Sequence, residues 1–175
     1  MGALKLINSS TLSSDDSSLT LTGIDSTYDV YYLTFNNVTP DTANADFQCR
    51  FTESGTANDT ANYDYAIQYL RSDIDFVNDK VSTTNGDKFF LSGSMENDAS
   101  VGGCNGFMYI FNANDSGEFT FATIESMYLA EDGTMLAQVA GLTFTVNSTV
   151  NGVSFFFDSG NIRSGAKFAL YGLKK

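Results

Sequence analysis

The stretch Tyr28-Asp29-Val30-Tyr31-Tyr32-Leu33-Thr34-Phe35 decides the fold. It is rich in β-branched and aromatic residues, which favour strands over helices. In a strand, successive side chains point to opposite faces. Tyr28, Val30, Tyr32 and Thr34 then share one face, and Tyr31, Leu33 and Phe35 share the other. Because both faces are apolar, we expect a central strand that is covered on both sides.

Ten further stretches of the chain are of the same kind. Turn dipeptides such as Asn85-Gly86 and Asn151-Gly152 separate several of them. The probable strands lie near residues 3–8, 17–23, 28–37, 45–54, 62–70, 87–92, 105–112, 117–127, 134–146, 152–158 and 165–172.

The segment 72–84 has an ambiguous pattern. Ile74, Val77 and Val81 have helical spacing, but the segment is rich in β-branched residues. We expect an irregular loop there with one helical turn.

Short strands at regular spacing, with turn signals between them, are typical of sandwiches and jelly rolls. The 175 residues suit one domain, and no repeat, linker or boundary interrupts them. The sequence therefore predicts a single all-β domain over residues 1–175. We expect a jelly-roll-like, antiparallel β-sandwich of about 8–11 strands, with little or no helix.

Composition argues against several classes of function. The chain has no histidine, so the usual general base and the commonest metal ligand are both missing. It has no tryptophan either. Nine basic residues against 21 acidic ones give a formal charge of −12. Such a surface repels phosphate backbones and anionic lipid, so we expect neither a nucleic acid nor a membrane as partner.

Acid pairs are the first candidates for catalysis, because glycoside hydrolysis needs two carboxylates. The available pairs are Asp15-Asp16, Asp73/Asp75 and Glu131-Asp132. All three lie in predicted loops beside Ser, Asn or Gly, and we interpret them as solvated turn residues. The sequence thus predicts that the protein is not an enzyme.

Metal and thiol chemistry have equally few candidates. Asn112–Gly117 places oxygen ligands at alternate positions but lacks the downstream bidentate Glu of a calcium loop, and a hairpin turn explains it better. Cys49 and Cys104 have no histidine to activate a thiol, and we expect both to be structural. No metal and no cofactor is predicted.

Two groups of aromatic residues are candidates for binding. Tyr63, Tyr65 and Tyr69 share one strand face, where sheet packing competes with sugar binding as the explanation. Phe155-Phe156-Phe157 is a solid apolar block, so at least one ring should face away from the core. An outward aromatic patch marks a contact surface, and a strand buried between a sheet and a loop is the alternative.

Four segments together resemble small virion-associated proteins of tailed bacteriophages, especially phages of marine bacteria and cyanobacteria. One is the start Met1–Ile7, with its Leu-Lys-Leu-Ile run, and another is the strand in Leu21–Tyr31, with the pattern Ile-Asp-Ser-x-Tyr-Asp-x-Tyr. The others are Asn62–Ala66 and the ending Ser164–Lys174, with Leu-Tyr-Gly before a hydrophobic residue and Lys. The resemblance implies a β-sandwich that serves as a structural or fibre module, without catalytic residues.

The leading hypothesis is therefore a non-enzymatic virion structural protein, made in the host bacterial cytoplasm and carried on the virion surface. It would be a capsid decoration (cement) protein or a head or tail fibre module, and the short chain favours decoration. We expect a homo-oligomer, with a trimer favoured, bound to the major capsid protein or a tail protein through Phe155, Phe156 or Phe157. The alternative is a carbohydrate-binding receptor-recognition module of a phage tail.

Overall fold

The computed structural model describes residues 3–73 and 79–173 of the chain. Those residues form thirteen strands and one 3₁₀ turn at Ala99–Val101. No helix in this part of the chain is long and apolar enough to cross a bilayer. The strands are β1 (Leu4–Thr11), β2 (Ser18–Thr22), β3 (Val30–Val38), β4 (Ala45–Glu53), β5 (Thr56–Ala57), β6 (Tyr63–Arg71), β7 (Asp79–Gly86), β8 (Phe89–Met95), β9 (Cys104–Phe111), β10 (Thr120–Leu129), β11 (Met135–Phe144), β12 (Gly152–Phe157) and β13 (Lys167–Leu173).

The strands form two antiparallel sheets. The larger sheet has eight strands in the order β1-β13-β3-β9-β10-β11-β6-β7. The smaller sheet has five: β2, β12 and β4 in that order, with β5 and β8 both paired to β4. The first and last strands pair side by side, with Leu4 opposite Leu173. This architecture confirms the predicted all-β, antiparallel sandwich.

The core lies between the two sheets and is largely aromatic. Tyr31, Leu33 and Phe35 point inward from β3 and are fully buried. Phe47 and Phe155 point inward from the smaller sheet, and the ring of Phe35 meets that of Phe47 edge to face at 5.5 Å. Buried side chains of this size each contribute about 3 kcal/mol through removal of apolar surface from water. The alternation of side chains in the stretch Tyr28–Phe35 therefore determines which residues of β3 face the core.

The outer face of β3 differs from the prediction. The strand is central, since it lies between β13 and β9. Its outward side chains Tyr32 and Thr34 are only half-buried, and no second layer of the described chain covers them. The expectation of cover on both faces was wrong for a single protomer, because the apolar outer residues pack sideways on their neighbours instead.

The ambiguous segment also differs from the prediction. Residues 79–84 belong to β7, which pairs with β6 and places Val81 opposite Ile67. The predicted irregular loop was wrong there, because β-branched residues beside an open sheet edge extend the ladder. The expected helical turn at Ile74 and Val77 lies outside the described residues.

Candidate functional site

The outer face of the eight-stranded sheet carries a cluster of aromatic rings, which we call the aromatic cluster. It consists of Tyr32 on β3, Phe107 and Tyr109 on β9, and Tyr171 on β13, all half-buried. The ring of Tyr32 lies 4.8 Å from that of Tyr109, 5.7 Å from Phe107 and 6.1 Å from Tyr171, between centroids. Burial raises the pKa of Tyr32, and the neighbouring Tyr109 and Tyr171 raise it further. The rings support one another but leave their outer surfaces uncovered.

Exposed aliphatic and aromatic side chains extend this cluster across the sheet. Ten large hydrophobic residues of the described chain are exposed, and seven of them point outward from this sheet. They are Leu4, Leu6, Leu70, Phe121, Met127, Met135 and Val139, with 43–58% of their surface exposed. We call the outer face of the eight-stranded sheet the contact face. An apolar surface of this extent is typical of a site for association.

The contact face is poor in charge, unlike the rest of the molecule. The register places four charged residues outward on it, two acidic and two basic: Asp64, Glu125, Lys80 and Lys167. The formal charge of the whole chain is −12. The acidic excess therefore lies in turns, rims and loops, and a partner can approach this face without meeting a strong negative field.

A groove of about 480 Å³ crosses the contact face. Tyr32 and Phe107 form one side, and Met127 and Val139 form the other, with the Glu125 carboxylate between them. The groove combines an aromatic wall with a charged acceptor. That combination suits either an inserted apolar side chain or a sugar ring.

The outer face of the five-stranded sheet is different in kind. Thr20 on β2 and Ser154 on β12 are cross-strand neighbours, and their hydroxyls hydrogen-bond at 3.1 Å. Arg50 on β4 lies with its guanidinium carbon 4.9 Å from the centroid of the Phe156 ring. The same guanidinium donates to a carboxylate oxygen of Asp87 at 2.7 Å. These groups are bonded to one another, whereas the Oε1 of Gln48, buried on the same face, has no hydrogen-bond partner among the described residues.

The structure places the three predicted interface phenylalanines on opposite sides of β12. Phe155 and Phe157 point inward and are buried, so neither lies on a surface. The ring of Phe155 contacts Phe168 at 4.8 Å across the core. Phe156 points outward and is half-buried beneath Arg50. Period-two alternation explains this split, and it leaves Phe156 as the one member that can contact a partner.

The tyrosine stripe on β6 is part of the core rather than a sugar site. Tyr63 is fully buried, and its hydroxyl donates to the carbonyl of Asn58 at 2.7 Å and accepts from the amide of Phe51 at 3.2 Å. Burial raises its pKa. Tyr69 is buried too, and Tyr65 packs against the core. Sheet packing is therefore the correct explanation of this stripe.

A polar cleft of about 400 Å³ lies where the two sheets meet, beside the bridge between Met95 and Ala130. Asp46 and Tyr128 line it. The Asp46 carboxylate accepts from the amide of Ser94 at 2.8 Å, yet burial raises its pKa. Burial also raises the pKa of Tyr128 to about 12. Asp132 also lines the cleft, and its carboxylate accepts from the amide of Thr134.

The acid pairs named in the sequence contribute two turn caps, an ion pair and one bond to a distant segment, in which the Asp15 carboxylate accepts from the amide of Ser164 at 2.8 Å. Asp16 accepts from the amide of Ser18, and Asp132 accepts from the amide of Thr134 at 2.9 Å. Asp73 pairs with Arg71 at 2.8 Å, while Asp75 lies outside the described residues. These bonds agree with the interpretation as turn residues.

The remaining candidates are likewise local. Asn112–Gly117 forms the turn between β9 and β10, in which Asp115 accepts from the amide of Gly117 at 2.8 Å. Within residues 3–73 and 79–173, no group of three acidic or cysteine side chains is close enough together to hold a metal ion. Cys49 and Cys104 are fully buried free thiols, as predicted, and burial raises the pKa of each.

Comparisons with known proteins add little. No family model matches the chain, and no curated protein matches it. Among solved structures, the chain is similar to the crystal structure of galectin LEC-6 from Caenorhabditis elegans, with a TM-score of 0.37 and 9% identity over 96% of each chain. A likeness at that level is no basis for transferring a fold family or a ligand.

Proposed function

We propose that this chain is a non-enzymatic structural protein of a virion and that it works by surface contact through the contact face. The observation that carries the proposal is the large number of exposed apolar and half-buried aromatic side chains on the outer surface of the eight-stranded sheet. The aromatic cluster lies in one half of this surface, and exposed residues such as Val139 and Met127 extend it into the other half. Exposed apolar surface of this kind marks a contact site, and covering it with another protein surface removes it from water.

The setting of the face supports a protein partner in a particle. The acidic excess outside the face keeps the free chain soluble until it assembles. The resemblance of the start, the first long strand and the ending to virion-associated phage proteins supports a structural role in a particle, and we propose a place on the outside of it. Decoration of the capsid and a head or tail fibre module both fit this geometry.

Purified particles test the proposal. Virions banded on a density gradient from lysates of the host should contain the chain, as detected by mass spectrometry. An antibody raised against the folded chain should label intact particles in electron micrographs. If the chain stays in the soluble fraction and intact particles remain unlabelled, the virion role is wrong.

Carbohydrate binding is the second candidate, and the groove is the observation that favours it. A sugar ring could stack on Phe107 while the Glu125 carboxylate accepts hydrogen bonds from its hydroxyl groups. A glycan array tests this candidate with the wild-type chain and with Glu125→Gln. Binding that the substitution abolishes would favour receptor recognition, whereas a silent array favours the structural role.

A further inference from the structure

The register of the eight-stranded sheet divides the contact face into a half with large side chains and a half with small ones. One row of cross-strand neighbours, the tyrosine row, contains three tyrosines and then three small residues. In strand order from β13 to β6 the row is Tyr171, Tyr32, Tyr109, Thr123, Gly141 and Ala66. The change from large to small falls between β9 and β10, which is the midline of the sheet.

The next row on the same face, the valine row, has nearly the opposite order. Ala169 and Thr34 are its small members on the side of the tyrosines, and Val139 and Gln68 are its larger members on the other side. Phe107 and Glu125 face each other across the midline. Apart from Phe107, which lies next to the midline, these two rows give each half of the face a raised row beside a low row, in opposite arrangement.

We propose that the contact face pairs with the same face of a second copy, about a twofold axis that runs parallel to the strands between β9 and β10. This inference rests on the proposed function, since it names the partner of the contact face. The rotation lays β3 of one copy over β11 of the other, and β13 over β6. It also keeps each row over itself, so that Tyr32 meets Gly141, Tyr171 meets Ala66, and Val139 meets Thr34.

The space for these contacts exists in the single chain. Gly141 is exposed, and a Cβ added to it would find no atom within 4 Å. Sheets pack face to face about 10 Å apart, which suits a tyrosine against a glycine but not a tyrosine against a tyrosine. Packed sheets keep their strand directions within about 30°, so neighbours near the midline stay in register.

The size of the face also fits a dimer. Eight strands spaced about 4.8 Å apart, each about eight residues long at about 3.4 Å per residue, span about 900 Å². A stable interface buries about 800 Å² on each partner. The face carries two acidic and two basic residues, so two copies can meet there despite a charge of −12 on each chain.

The test is the mass of the full chain in solution, measured by sedimentation or light scattering over a range of concentrations. We expect a dimer for the wild type. Gly141→Arg should weaken association about 100-fold or more, because an arginine in a dry interface is costly. Its melting temperature should match that of the wild-type monomer, since the space above Gly141 is open. Thr22→Arg, on the exposed outer face of the other sheet, is the control and should leave the dimer intact.

Size exchange gives the second, sharper test. Gly141→Tyr alone should weaken the dimer, because it places a tyrosine against Tyr32 of the other copy. Adding Tyr32→Ala to the same chain should restore part of the affinity, because the large side chain then lies on β11 and the small one on β3. Glu125→Gln should tighten the dimer severalfold, because the rotation brings the two Glu125 carboxylates to either side of the axis. If the groove instead binds a glycan receptor, Glu125→Gln should weaken the binding of that glycan.

Each outcome decides between the two proposals. A trimer, which the sequence-based hypothesis favoured, would overturn the twofold pair, as would a wild-type monomer or a Gly141→Arg chain that still dimerises. If the particles contain the chain but the purified chain is a monomer in solution, the structural role stands and the twofold pair is wrong. If the dimer forms through this face but particles lack the chain, the twofold pair stands and the virion role is wrong.

Discussion

The two outer faces of the sandwich are built on the same antiparallel ladder and differ in how their side chains are satisfied. On the five-stranded sheet, Thr20 bonds to Ser154, and Arg50 bonds to Asp87 and covers Phe156. On the eight-stranded sheet, Met127 and Val139 are 58% and 52% exposed. The hydroxyl and guanidinium groups named on the first face are bonded within one chain, whereas the second face leaves large apolar side chains exposed.

The largest effect should come from the inner side of the five-stranded sheet. Phe155→Ala leaves a cavity among fully buried rings and should cost about 3–5 kcal/mol. Phe156→Ala, one position along, loses only a half-buried ring and should cost about 1 kcal/mol. Urea denaturation of both variants measures the difference. Equal losses would mean that the alternation of β12 is wrong and that its outer side is as enclosed as its inner side.

A smaller effect should follow from removing the arginine that covers Phe156. Arg50→Ala loses the hydrogen bonds to the carbonyl and carboxylate of Asp87 as well as the ring contact. The pair is partly exposed, so we expect a loss of about 1 kcal/mol. Arg50→Lys keeps the charge without the forked donor and should recover only part of the loss. A loss as large as that of Phe155→Ala would show that Arg50 holds the sheet rather than finishing its surface.

The smallest effect concerns pH and the rim of the five-stranded sheet. Burial, and then repulsion by Asp158, raises the pKa of Asp46 above its ordinary value of 3.8. The ionised carboxylate therefore lowers stability at neutral pH, and this cost disappears as pH falls through the raised pKa towards 3.8. Asp46→Asn should melt at a higher temperature than the wild type at pH 7, with the gap closing towards pH 4.

Asp41 is the matched control, because its pKa is shifted the other way. The amide of Asn161 donates to it and lowers its pKa below 3.8. Its contribution to stability is present above 3.8 and is lost as pH falls through the lowered pKa. Asp41→Asn should therefore melt below the wild type at pH 7. If both variants shift in the same direction, the two carboxylates do not differ as the structure indicates.

Much of the fold could be predicted from alternation alone. Each of the eleven predicted strands has a counterpart, and the burial of Tyr31, Leu33 and Phe35 follows directly from period two. Two strands were missed. β5 has only two residues, too few for a pattern, and β7 was taken for a loop because Val81 fits helical spacing with residues that also favour strands.

The contact face was harder to predict, because it depends on which strands are neighbours. Tyr32, Tyr109 and Tyr171 are far apart in sequence, and only the order β13-β3-β9 brings their rings together. The signal in the sequence is that β3 has two apolar faces, which by itself predicts a strand covered on both sides. The Phe155–Phe157 block had a stronger local signal but lies mainly in the core.

Hydroxyl-radical footprinting tests the central claim most directly, since it reports which side chains are covered on assembly. The wild-type chain at a concentration where it associates should be compared with monomeric Gly141→Arg. We predict that Tyr32, Tyr109, Tyr171 and Met127 are protected in the wild type, while Phe156 on the other face labels equally in both. Protection of Phe156 with full labelling of the aromatic cluster would contradict the account, because it would place the contact on the wrong sheet.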